Sequence, residues 1–113
     1  MSRERANRDQ AHVEDILEAS SKIAAYTANK SIEDFLASPL LIDAIIRRLA
    51  VVGEAAAKLT KTYKETHPKA DWRDIVALRN LLVHAYWRIA PEKLWEIATG
   101  DVPALASYLR EES

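Results

Sequence analysis

Apolar residues recur along this chain three and four positions apart, the spacing that gives a helix one buried face. Val13, Ile16, Leu17, Ile23 and Ala24 form the first such stripe and predict a helix from about Arg8 to Ala28. Asn29-Lys30-Ser31 interrupts it, and Ser31 with Asp34 three residues later is a capping-box pattern that starts a short helix over Ile32–Ala37. Ser38-Pro39 is the clearest start signal, a capping hydroxyl followed by proline in the first helical position. From there the pattern predicts one long helix, Pro39 to about Glu65. His67-Pro68-Lys69-Ala70-Asp71 ends it, and Asp71 is a natural N-cap for a helix over Trp72–Ala85, with Asp74 well placed near its positive end. Pro91 opens a fifth helix that Gly100 closes, and Asp101 caps a last segment over Val102–Glu111. The expected fold is all-α, an up-and-down four-helix bundle with additional short helices, in one domain over residues 1–113.

Composition narrows this further. A chain of 113 residues can bury an adequate core as one domain, and two glycines among abundant Ala, Leu, Ile, Glu, Lys and Arg suit helices. The absence of cysteine excludes disulfides and thiolate metal sites and is compatible with a reducing cytoplasm. Apolar runs such as Pro39–Ile46 and Leu49–Val52 fall short of the roughly 18 residues of a membrane span. Arg3, Glu4, Arg5, Arg8 and Asp9 make the N-terminus polar and mixed in charge, unlike a signal peptide. A soluble cytoplasmic protein with no membrane partner is expected. The net charge of -1 is a constraint, because proteins that wrap nucleic acid are usually basic. Any nucleic-acid site here is a local patch, of the kind that pairing two subunits can build.

The chemistry concentrates in Arg79-Asn80-Leu81-Leu82-Val83-His84-Ala85-Tyr86. A guanidinium offers phosphate a rigid fork of donors. An imidazole, with an ordinary pKa of about 6.5, both takes and gives a proton near neutrality. Together they suit acid–base chemistry on a phosphodiester, with RNA the favoured substrate. On a straight helix Tyr86 returns to within about 20° of Arg79, whereas His84 lies roughly 140° away. Either the helix loosens near His84, or a two-fold dimer brings two helix ends together so that both copies line one cleft. Cleavage by RNA's own 2′-hydroxyl needs a base and an acid. A symmetric pair supplies two histidines where one chain supplies one.

An isolated Arg-x4-His pair is ordinarily surface charge or a satisfied core histidine, so other readings stay open on the residues alone. One is a non-catalytic module that binds nucleotide, RNA or a partner, with Arg79 gripping phosphate. Another is a structural protein that oligomerises through Trp72, Trp87 and Trp95, which read as core or interface anchors. His12 and His67 read as solvated surface residues. No His-Glu-x-x-His, Glu-x-x-His or acidic cluster with ligand spacing is present, so no metal and no cofactor is expected. Arg47-Arg48 and the series Lys58, Lys61, Lys64 read as solvated faces and as secondary places for RNA backbone contacts. Gly53 inside a helix costs about 1 kcal/mol relative to alanine, which points to close approach of another helix. Glu54 beside it can face the same contact and reach Arg79, as a structural salt-bridge partner.

At these residues the chain resembles the HepT-like toxins, a branch of the HEPN superfamily, over nearly its whole length. The matching segments are Arg47-Arg48-Leu49 through Val52-Gly53-Glu54-Ala55-Ala56, His67-Pro68, Trp72-Arg73-Asp74-Ile75 through Leu78-Arg79-Asn80, and Leu82-Val83-His84-Ala85-Tyr86. The superfamily motif is Arg, four to six residues, then His, often with a polar residue after the Arg. The HepT branch adds a Tyr two places after the His. Arg79, Asn80, His84 and Tyr86 fall on those positions. Ala70-Asp71 departs from the hydrophobic residue and proline that relatives often carry there. The resemblance implies a metal-independent endoribonuclease that acts as a homodimer and is the toxin of a toxin–antitoxin pair. It implies a minimal nucleotidyltransferase antitoxin as partner, able to transfer AMP onto Tyr86. The roles it implies are His84 as general acid or base, Arg79 as charge stabiliser, Asn80 as orienting group and Tyr86 as RNA contact and AMP acceptor. Glu54, Arg47 and Arg48 would support them.

Overall fold

Side chains set the helix boundaries, by capping the backbone or by breaking its ladder. The computed structural model describes residues 3–112. Helix α1 spans Arg3–Thr27, α2 Ile32–Leu36, α3 Pro39–Lys58, α4 Lys61–Thr66 and α5 Trp72–Ala85. A 3₁₀ turn, Tyr86–Arg88, leads to α6, Pro91–Glu96, and a π-helical turn, Ile97–Asp101, joins that to α7, Val102–Glu111. The fold is all-α, and no strand occurs among the described residues. No helix among them is long and apolar enough to cross a membrane.

Three expected caps are in place. The Ser31 hydroxyl accepts from Asp34 N at 3.1 Å while Ser31 N donates to the Asp34 carboxylate at 2.9 Å. Ser38 accepts from Leu41 N ahead of Pro39, and Asp71 accepts from Asp74 N.

Elsewhere the pattern and the fold differ. Helix α1 begins at Arg3, earlier than the apolar stripe indicates, and its exposed residues 3–8 form an additional polar stretch. The long helix expected over Pro39–Glu65 is two helices. Asp9 of α1, only 2% exposed, accepts from Thr60 N at 2.9 Å and from the Thr60 hydroxyl at 2.7 Å. That carboxylate takes the N–H that a continuous helix would have given to Ala56. The Thr60 hydroxyl then caps α4 by accepting from Tyr63 N.

At the other end, Gly100 does not stop a helix and Asp101 makes no side-chain cap. Asp101 stays helical at φ −66°, ψ −44°, inside a turn where Val102 N bonds Ile97 O. The cause is Pro103, which lacks an N–H and crowds the carbonyl four residues earlier; one wide turn relieves both conflicts.

The core alternates in direction. Val13 and Ile16 of α1 pack with Val52 and Ala56 of α3, Trp72 of α5 and Leu109 of α7. Ile23 packs with Ile45 and Leu49, Leu82 and Val102 at the opposite end. Ascent along α1 therefore meets descent along α3 and α7, and ascent along α5 meets descent along α3. Burial of each large aliphatic side chain contributes roughly 1.5–3 kcal/mol.

The tryptophans divide between core and surface, and His67 departs from its expected role. Trp72 is buried and donates to His67 O, Trp95 lies against Phe35 with ring centres 5.3 Å apart, and Trp87 is exposed rather than core. His67 is not a solvated surface residue. Its ring stacks on Tyr63 at 3.9 Å and its Nδ1–H donates to Tyr63 O at 2.8 Å.

Helices α3 and α5 approach closely at Gly53. A Cβ built on Gly53 would overlap the Arg79 Cβ and sit 3.0 Å from its Cα. Gly53→Ala is expected to lower unfolding free energy by about 1–3 kcal/mol in urea titration, because the Arg79 Cβ and Cα it meets can move only if the α5 backbone moves. Asp9→Ala is expected to cost about 1–3 kcal/mol in the same measurement, since it removes the acceptor of two hydrogen bonds from Thr60.

Candidate functional site

The absence of a side chain at Gly53 lets α5 approach until Arg79 lies against α3. Glu54, the next residue, then stands beside the guanidinium. Arg79 Nε donates to Glu54 Oε2 at 2.9 Å and Nη2 to Glu54 Oε1 at 3.2 Å, a two-pronged ion pair. Arg79 Nη1 donates to Asn80 Oδ1 at 2.8 Å. A guanidinium has five N–H groups, so two remain for a ligand. With its carbonyl oxygen accepting from Arg79, Asn80 keeps its NH₂ group for donation.

The pairing acts on both charges. Hydrogen bonding from Arg79, and then its positive charge, hold the Glu54 carboxyl below the usual carboxylate range. The same contacts raise the Arg79 guanidinium further above neutrality. A carboxylate whose folded pKa is lowered contributes its stabilisation above its ordinary pKa and loses it as pH falls through the lowered value. The anchor on Arg79 is therefore fully present at neutral pH.

His84 is exposed in the last turn of α5 and has no hydrogen-bond partner among the described residues. It does not meet Arg79 within one chain, as the roughly 140° between them on a helix requires. The helix loosens one residue after His84. Ala85 leaves helical geometry at φ −157°, ψ 46°, and Tyr86 starts a 3₁₀ turn. Tyr86 is thus not on the straight continuation of the helix, yet it lies on the same side as the ion pair. With Asp43, Ile46, Arg47, Ala50 and Glu54 it lines a shallow groove of about 490 Å³.

The fold brings Arg79, Asn80 and Glu54 into direct contact and gathers Arg47 and Tyr86 into the groove that Glu54 borders. Arg48 points elsewhere; it is half-buried and does not line the groove. Sequence reasoning missed Asp43, whose signal was its place four residues before Arg47 and eleven before Glu54 on one helical stripe. It also missed the exposed apolar surface around His84. Val83 is 52% exposed, Tyr86 51% and Trp87 71%. No group of three His, Asp or Glu side chains among the described residues could hold a metal ion.

Residues 16–112 match the family model described as ribonuclease HepT-like. This chain belongs to the HepT-like ribonuclease family. It is 35% identical over 94 residues to a Thermococcus cleftensis protein named "Probable ribonuclease HepT", covering 83% of this chain and 86% of the relative. A Methanocaldococcus jannaschii protein named as an RNase is 33% identical over 95 residues, covering 84% and 87% of the two chains. One from Caldanaerobacter subterraneus, also named as an RNase, is 31% identical over 100 residues, covering 88% and 89%. No solved structure matches the chain. The HepT-like match takes in α3 from end to end, α5 and the 3₁₀ turn, and so every residue of the site just described.

Glu54→Gln is expected to release Arg79 without unfolding the protein. The Arg79 Nε–H resonance would exchange with water about tenfold faster in NMR, for loss of a charged acceptor.

Proposed function

We propose that this HepT-like protein is a metal-independent endoribonuclease that works as a homodimer and is the toxin of a toxin–antitoxin pair acting in the cytoplasm. The observation that carries the reading is the surface around His84. An exposed imidazole with no partner among the described residues stands amid exposed Val83, Tyr86 and Trp87, at the end of the helix that carries the anchored Arg79. Exposed apolar side chains grouped in this way mark a face for another protein. A second copy related by two-fold symmetry would meet the same face with the same residues. It would also supply the second histidine that one chain lacks.

In the proposed reaction one His84 accepts the proton of the RNA 2′-hydroxyl as its oxygen bonds to phosphorus. The partner subunit's His84 gives a proton to the departing 5′-oxygen as the phosphorus–oxygen bond breaks. The products are a 2′,3′-cyclic phosphate and a 5′-hydroxyl, with one proton taken up and one released. Arg79, held by Glu54 so that it does not reorganise, offers its two remaining N–H groups to the phosphorus oxygens as charge builds there. The NH₂ of Asn80 orients the same phosphate. Tyr86 and Arg47, which line one groove with Glu54, contact the RNA backbone.

The antitoxin in this reading is a minimal nucleotidyltransferase that transfers AMP to the Tyr86 hydroxyl, releasing pyrophosphate from ATP. An added phosphate and nucleotide would fill the groove and repel RNA.

His84→Ala is expected to slow cleavage of labelled RNA by about 10²–10⁴-fold while RNA binding changes little, and EDTA is expected to leave the parent rate unchanged. Tyr86→Phe, co-expressed with the nucleotidyltransferase, would lack the AMP mass increments that the parent acquires. Cleavage by His84→Ala at the parent rate would sink the assignment. RNA bound by the parent but left uncut would favour the non-catalytic module.

A further inference from the structure

Away from Tyr86 the fold has a second, larger groove of about 950 Å³. Leu49 and Val52 of α3 form its floor, with Ile75 and Leu78 of α5 and Leu105 and Tyr108 of α7 as walls. Helix α5 packs along α3, and α7 along α1, but no comparable seam joins α5 to α7. In a closed four-helix bundle that fourth seam is filled by side chains. Here it is open, and its walls are apolar.

The charges around it are lopsided. Asp71, Asp74, Asp101 and Glu111 line the groove against only Lys69 and Lys93, and all six are exposed. Hydrogen bonding from Asp71, and then its charge, push the Asp74 carboxyl up, as two acids crowded at one lip do. Nucleic acid is a poor occupant, since carboxylates repel phosphate. A small uncharged ligand would use the floor and leave the acids without a role. A helix about 10 Å wide would fill this volume with roughly two turns. The basic stretch Arg3–Arg8 of a second copy has Ala6 as its one apolar residue and does not suit the floor.

We propose that the groove between α5 and α7 receives an amphipathic helix of a partner protein, apolar along one stripe and flanked by lysine or arginine, which closes the seam that α5 and α7 leave open. Apolar side chains of that helix would lie on Val52, Leu78 and Leu105, and its cations would pair with the acidic lip. The occupant would brace α5, whose one long seam is with α3. The inference stands apart from RNA cleavage, because this groove shares no lining residue with the one at Tyr86.

The test titrates the full-length protein with two synthetic helical peptides that share one leucine stripe, one flanked by lysines and the other by glutamates. Backbone amide NMR shifts report where each binds. The lysine peptide is expected to bind saturably, to shift amides around Ile75, Leu105 and Tyr108, and to bind at least about tenfold tighter than the glutamate peptide. The double substitution Asp101→Lys and Glu111→Lys, both at exposed positions, should reverse that preference while circular dichroism shows the helices intact. Equal binding of the two peptides, shifts confined to other surfaces, or no saturable binding would overturn the proposal. So would sedimentation equilibrium in which the double substitution changes self-association and leaves peptide binding as it was, which would give the groove to a second copy.

Discussion

The close approach of α3 and α5 at Gly53 is the constraint on which the rest of this molecule depends. A side chain there would collide with Arg79 Cβ and crowd its Cα, so the distance between the two helices is set by the absence of one carbon atom. That distance puts Glu54 within reach of Arg79 and lets both its oxygens accept. Without it the guanidinium would be a mobile surface charge, and a mobile charge spends binding energy on its own ordering before it can stabilise anything else.

Under the proposed function, the same pair would let a chain of net charge -1 offer phosphate a site. Glu54 cancels much of the long-range attraction of Arg79, so such a site would draw little on long-range attraction for nucleic acid. What remains is local and directional: two guanidinium N–H groups, the Asn80 amide and the nearby Arg47. A site of this kind recognises geometry more than charge density. It also leaves His84 unassisted within its own chain, which is the gap that the proposed two-fold pairing would fill.

Helix α5 has two open flanks. One carries His84, Val83 and the turn into Tyr86; the other faces the open groove toward α7. Its one long seam, with α3, is the seam that positions Arg79. A helix so placed is a natural point at which binding on one side could stiffen or shift groups on the other, because few competing contacts resist its movement.

Much of the architecture was legible in the residues. Ser31, Ser38 and Asp71 marked their helix starts because a cap is a local hydrogen bond, complete within a few residues. The apolar stripe of α1 marked most of its buried face through Val13, Ile16 and Ile23, although Ala24 is exposed and Ala19 and Ser20 are buried instead. Gly53 announced a close contact because glycine within a helix needs compensation. Reach across the chain was not legible. The carboxylate of Asp9 splits the helix after Lys58 from 51 residues away, and no periodicity records a partner that distant. Pro103 outweighed Gly100 as the local signal, turning an expected helix end into a π turn. The motif residues Arg79, Asn80, His84 and Tyr86 could be named from spacing and family pattern. That Asn80 and Glu54 share the guanidinium while His84 remains alone was decided by the tertiary structure, since which side chains meet depends on how close two helix axes lie and on where one helix ends.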